Sequence, residues 1–209
     1  MARLKDFDED RAIDAAVDCF WAHGYEATSV RDLAEAMGIG GASLYNAYGD
    51  KRALFTRSLE RYANRSMRER LARIESRHEP EAAIAAFLVE IIDRSVKDLG
   101  CKGCMLVNTA LDVAPHDAEI GRLVDGYLGE LRGFFRRNIE AAQEKGCMPR
   151  HLDPQTMSAH LLGVLLGIRV LARTGGKSAS AKRKLLEGVA RPALDRLVLP
   201  SSPAQRLRS

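Results

Sequence analysis

Aromatic residues are scarce: one Trp, five Tyr and six Phe make up 6% of 209 residues. A core must therefore be mainly aliphatic, and a 46% hydrophobic share is enough to build a sizeable one. No stretch alternates apolar and polar residues between turn signals, so no β-strand is expected. The longest apolar run, Leu161–Ala172, is shorter than the roughly 20 residues a membrane span needs. It also contains Arg169. No membrane partner is expected. The N-terminus is charged from Arg3 onward, which excludes a secretory signal and implies a cytoplasmic chain. In that setting the four cysteines should be mostly reduced. His78, His116, His151 and His160 are dispersed, without metal-ligand spacing. There is no phosphate-cradling glycine loop, no nucleophile elbow and no paired acid/base spacing, which argues against an enzyme. No metal or cofactor is implied.

What is present reads as an all-α chain of about nine helices. Apolar residues recur at helical spacing in Asp8–Ala22, where Phe20 and Trp21, with Tyr25 just beyond, are expected to pack on the next helix. Further helices are expected over 51–75, 80–99, 104–113, 117–145, 154–174 and 178–199, the last with a kink or irregular turn near Pro192. Residues 1–7 read as a frayed arm, 175–177 as a break, and 200–209 as a disordered tail.

Charge is unevenly spread. Residues 1–51 carry 5 Lys/Arg against 10 Asp/Glu, while 52–79 carry 8 against 4 and 150–209 carry 11 against 3. The basic residues of 52–79 are expected to form a solvated helix face, with Lys51 and Arg52 placed to reach phosphate.

The most specific stretch is Thr28–Lys51, TSVRDLAEAMGIGGASLYNAYGDK. Thr28 and Ser29 suit a helix N-cap. Val30, Leu33, Ala34 and Met37 then define one apolar face, and Gly38 fits a helix C-terminus where positive φ is required. A second short helix spans about Ala42–Ala47, and Gly49-Asp50 ends it and caps the next. Two short helices around a Gly-containing turn form a helix-turn-helix, whose second helix enters the major groove of DNA. Ser43, Tyr45, Asn46 and Tyr48 are that helix's polar residues; hydroxyls and amides can donate to phosphate, and Asn can pair with adenine.

The run Thr28-x-x-x-Asp32-Leu33-Ala34-x-x-x-Gly38-Ile39, followed by Leu44-Tyr45-x-x-Tyr48-x-x-Lys51-x-x-Leu54, resembles the DNA-binding domain of the TetR family of bacterial transcriptional regulators. The approach Phe20-Trp21-Ala22-His23-Gly24-Tyr25 matches too, so the resemblance covers about residues 8–56. It implies that Thr28, Ser43, Tyr45 and Lys51 touch phosphate and that Arg31 and Asn46 reach bases. Gly40-Gly41-Ala42 departs from the Ser-Lys-Gly run common in the family, and Gly49 replaces another frequent Lys. Some operator contacts would then come from Arg3 and Lys5.

The resemblance also implies a three-helix DNA-binding domain over 1–50 and a larger helical domain over 51–199, joined through a linking helix at 51–75. The second domain would bind a small-molecule effector and form a homodimer on double-stranded operator DNA. Phe87, Ile91, Met105, Asn108, Leu111, Tyr127 and Phe134 are the candidate pocket residues. Gly163 and Gly167, four apart on one helix, would admit a facing helix at the dimer interface. Cys101 and Cys104 form a CxxC without the second ligand pair that structural zinc needs. They are candidates for an oxidant or electrophile sensor. Cys104 would be the activated thiol, at a helix N-terminus beside Lys102, and Cys101 the resolving one. The expected function is a DNA-binding transcriptional regulator that represses and is released from its operator by a small-molecule, oxidative or electrophilic signal. Alternatives are a CxxC redox protein and a helical interaction protein without DNA binding.

Overall fold

A computed structural model describes residues 8–174 and 178–198, so the arm with Arg3 and Lys5, the break at 175–177 and the tail at 200–209 lie outside the described residues. Among the described residues the chain is helical, with no strand. The order is α1 Glu9–His23, α2 Val30–Met37, α3 Gly41–Tyr48, α4 Lys51–Tyr62, a π-helical turn Ala63–Arg68, and α5 Glu69–Arg77. Then come α6 Pro80–Lys97, α7 Met105–Asp112, α8 Ala118–Glu144, α9 Pro154–Ala172 and α10 Ala179–Asp195.

Side-chain caps set most of the helix starts. Asp8, Asp50, Asp153 and Ser178 each accept the backbone N–H three residues on, satisfying a donor that has no partner inside the helix. The rod expected over 51–75 is interrupted by the π-helical turn, which periodicity alone does not signal. Pro192 sits inside α10, and the helix runs on through it.

The chain divides into two compact units: residues up to Arg70 with Lys102–Tyr127, and Leu71–Cys101 with the residues from Leu128 onward. This differs from the boundary expected at 50/51. In the first unit, α1 packs on α2 and α4. Phe20 and Tyr25 meet Phe55 of α4 at 4.9 and 4.8 Å between ring centroids, and Trp21 meets Tyr62 at 5.3 Å. The rings expected against the next helix thus close on α4, which returns across α1 and carries the matching aromatic residues. In the second unit, α10 packs on α9 and α6, and Phe87, Phe134 and Phe135 form a buried cluster at 5.4–5.7 Å.

Helix α9 has 19 residues and is, among the described residues, the one helix long and apolar enough to cross a membrane. The expectation from Leu161–Ala172 left out its first seven residues, Pro154 to His160. Met157, Leu161, Leu165 and Ile168 are buried, and Arg169, also buried, donates to the Ser95 hydroxyl at 3.2 Å.

Candidate nucleic-acid interface

Helix α2 is fixed at both ends. Ser29 Oγ accepts from the Asp32 N–H at 3.1 Å, and Asp32 Oδ2 accepts from the Ser29 N–H at 2.9 Å, a reciprocal capping box. The Ser29 hydroxyl, which also donates to Asp32 Oδ2 at 2.7 Å, and next the Ser29 N–H hold the Asp32 carboxyl below its ordinary value. Gly38 closes α2 at φ 66°, a conformation costly for any residue with a Cβ. Leu33, Met37 and Leu44 are buried and pin both helices to the unit's core.

The opposite face of α3 is open. Ser43 and Asn46 are exposed, Tyr45 is 54% exposed, and Arg31 of α2 is exposed as well. No side chain caps α3: its N-cap is Gly40, and the first-turn residues Gly41, Ala42 and Ser43 are exposed. Hydroxyl, amide, guanidinium and the positive end of a short helix are thus presented together, groups suited to phosphate and base edges.

Two expected contacts are corrected. Thr28 is 1% exposed and its hydroxyl donates to the Gly24 carbonyl at 2.6 Å, so it braces the turn between α1 and α2. Tyr48 is 5% exposed, beneath the Arg57 guanidinium, and burial pushes its phenol up. Tyr45 and Tyr48 lie three apart, yet one faces solvent and the other the core. The spacing of polar residue types did not separate them.

Lys51 is half-buried, its ammonium 4.4 Å from the Tyr25 ring centroid and 3.4 Å from the Glu26 carbonyl. Arg52 is not free for phosphate: it bonds Asp117 at 2.6 and 2.9 Å and Glu119 at 2.7 Å. No local signal could have shown this, because the partners lie 65 and 67 residues away.

Five of the ten acidic residues of 1–51 have structural partners of their own. Asp8, Asp32 and Asp50 are caps, Asp10 and Asp14 pair with Arg61, and Asp14 also pairs with Arg65. Arginines expected to be a solvated face instead neutralise α1. The Asp14 carboxyl is held below its usual range, first by its hydrogen bond from Arg61.

The remaining candidates fall in both units. Phe87, Ile91 and Phe134 are buried in the second, where the phenyl rings pack on one another. In the first, Met105 and Tyr127 are buried, and Asn108 donates to the Lys102 carbonyl at 3.0 Å. Leu111 is 60% exposed and does not point inward as expected. Gly163 faces open space, while a Cβ on Gly167 would stand 4.0 Å from Val189. Cys101 is half-buried in the second unit and Cys104 half-buried in the first.

Residues 12–57 match the family of bacterial regulatory proteins, tetR family, and residues 80–185 match the tetracyclin repressor-like C-terminal domain. The HTH-type transcriptional repressor ComR of Escherichia coli (strain K12) is 29% identical over 174 residues, 83% of each chain. The uncharacterized HTH-type transcriptional regulator YezE of Bacillus subtilis (strain 168) is 30% identical over 146 residues, 70% of this chain and 75% of its own. A cysteine mutant of the TetR family regulator CifR, solved with 26-base-pair double-strand operator DNA, superposes with a TM-score of 0.79 at 30% identity, over 92% of this chain and 98% of that one. With a capped helix-turn-helix presenting Ser43, Tyr45 and Asn46, and with both parts of the chain matched, this protein belongs to the TetR family: it is a DNA-binding transcriptional regulator and not an enzyme.

Proposed function

We propose that the chain is a cytoplasmic repressor that binds double-stranded operator DNA as a homodimer and is released by a small-molecule, oxidative or electrophilic signal. The observation that carries this reading is the division of α3 into a buried side, Leu44 and Tyr48, and an open side, Ser43, Tyr45 and Asn46. In this reading Ser43, Tyr45 and Lys51 meet phosphate, and Arg31 and Asn46 reach base edges. Repression is supported by similarity to ComR, a repressor, and operator binding by similarity to CifR, solved on its operator.

Dimerisation would supply two recognition helices for half-sites about one helical turn, or a multiple of it, apart. The open face of α9 supports it: Gly163 is exposed and Val170 is 44% exposed on an otherwise apolar helix. An effector releases the protein only through its differential affinity for the DNA-fitting and non-fitting states. Within the second unit, the apolar residues Phe87, Ile91 and Phe134 are where an apolar effector would be accommodated.

The test is a gel shift and footprint on the flanking genomic DNA, with salt varied. A protected, two-fold symmetric site is the expected result. Absence of any specific shift at every salt concentration would remove the operator-binding reading.

A further inference from the structure

Lys182 is a lysine without a carboxylate. It lies in the first turn of α10 and is only 8% exposed. Its ammonium meets the Cys101 Sγ at 3.9 Å, and among the described residues no acid pairs with it. The next residue, Arg183, takes Asp93 at 2.7 Å and Glu187 at 3.4 Å. A buried ammonium needs a counter-charge, and the positive end of a helix is a poor place for one without it. The partner the structure gives it is the Cys101 sulfur.

Cys104 has the opposite setting. Its Sγ lies 3.6 Å from the Tyr62 hydroxyl. Lys102, the cation that the sequence assigns to it, sits 5.4 Å from the Trp21 ring centroid instead. Cys101 is also, among the described residues, the only non-glycine with positive φ, at 49°. Such strain persists only where the surroundings hold the residue in place.

We propose that Cys101 is the reactive thiol of this chain, that the Lys182 ammonium beside it promotes its reaction, and that a peroxide is the oxidant it meets. This reverses the roles expected from the sequence, and it rests on the signal-responsive reading above. The thiolate sulfur attacks one peroxide oxygen. The S–O bond forms as the O–O bond breaks, and the electron pair leaves on the second oxygen, which takes a proton from water. Sulfur is oxidised to a sulfenic acid, and the peroxide is reduced to water or an alcohol. Lys182 is a positioning residue: its ammonium stands beside Cys101 and leaves the peroxide to the sulfur.

The experiment uses the full chain without DNA. Iodoacetamide is added at neutral pH and each cysteine is quantified by peptide mass spectrometry; hydrogen peroxide with dimedone is run in parallel. Cys101 should alkylate faster than Cys104 and Cys147 and should carry the dimedone adduct. Lys182→Met should slow Cys101 by roughly tenfold and leave Cys104 and Cys147 unchanged. Lys182→Arg should restore the rate, as loss of packing alone would not predict. Faster alkylation of Cys104 or Cys147, an unchanged Cys101 rate in Lys182→Met, or equal slowing of every cysteine would overturn the proposal. A gel shift on the same samples separates the two readings: lost operator binding with intact Cys101 reactivity refutes only the repressor.

Discussion

Arg52 of α4 and Asp117, ahead of α8, share two parallel hydrogen bonds, Nε to one carboxylate oxygen at 2.6 Å and a guanidinium nitrogen to the other at 2.9 Å. Asp117 also accepts the backbone N–H groups of Glu119 and Ile120 at 3.0 and 3.1 Å. One carboxylate therefore caps α8 and holds the first turn of α4, directly after the recognition helix. Arg52, and secondarily the Ile120 N–H, holds this carboxyl well below the usual range.

A carboxyl lowered in the folded state adds stability that is present above its ordinary value of 3.8 and lost as pH falls toward the depressed one. Asp117→Asn should lower the melting temperature at neutral pH. Its deficit relative to wild type should shrink as the pH drops below the normal carboxylate range. Circular dichroism melting across that range checks this; a deficit constant with pH would mean that the charge contributes nothing.

Tyr45 and Tyr48 should part company on truncation. Tyr48→Ala empties a buried aromatic site and should cost about 3–5 kcal/mol of stability in denaturant titration. Tyr45→Ala should change stability by no more than about 0.5 kcal/mol. If its hydroxyl meets phosphate, it should lose about 1.5–3 kcal/mol of operator affinity. Equal effects of both variants on folding would contradict the division of α3.

Ser29→Ala removes one half of the capping box and should destabilise the first unit by about 1 kcal/mol. Amide exchange should report it first in α2. Ser29→Asp keeps an acceptor at the cap and should recover most of the loss.

The two glycines of α9 are not equivalent probes of a dimer. A side chain at Gly163 enters open space, whereas one at Gly167 comes to Val189 of the same chain. Gly163→Leu should therefore weaken self-association without lowering monomer stability. Sedimentation equilibrium gives the dimer constant, and an unchanged value would take Gly163 out of the interface.

How much of this was legible beforehand depended on range. Caps and terminators such as Ser29, Gly38 and Asp50 are local chemistry, read correctly to within a residue. The all-α class followed from periodicity alone. Side-chain destinations were harder. Arg52, Arg61 and Arg73 read as a solvated stripe, because their partners Asp117, Asp14 and Glu90 become neighbours only after the chain folds back. Thr28 and Tyr48 read as contact residues because polarity does not reveal which side of an eight-residue helix or its flanking turn is covered. Lys182 escaped notice for the same reason: its meaning is its contact with Cys101, 81 residues earlier.

The bare leading edge of α3 has one more consequence. Gly41 is exposed, its φ is not in the left-handed region, and an added Cβ would touch nothing within 4 Å. Gly41→Lys should thus be tolerated, tighten operator binding and steepen its dependence on salt by about one charge per subunit. No change would place this end of the helix away from the phosphates. Such a gain would mean that, in the proposed function, the wild-type chain grips its operator gently and the signal needs correspondingly little free energy to vacate it.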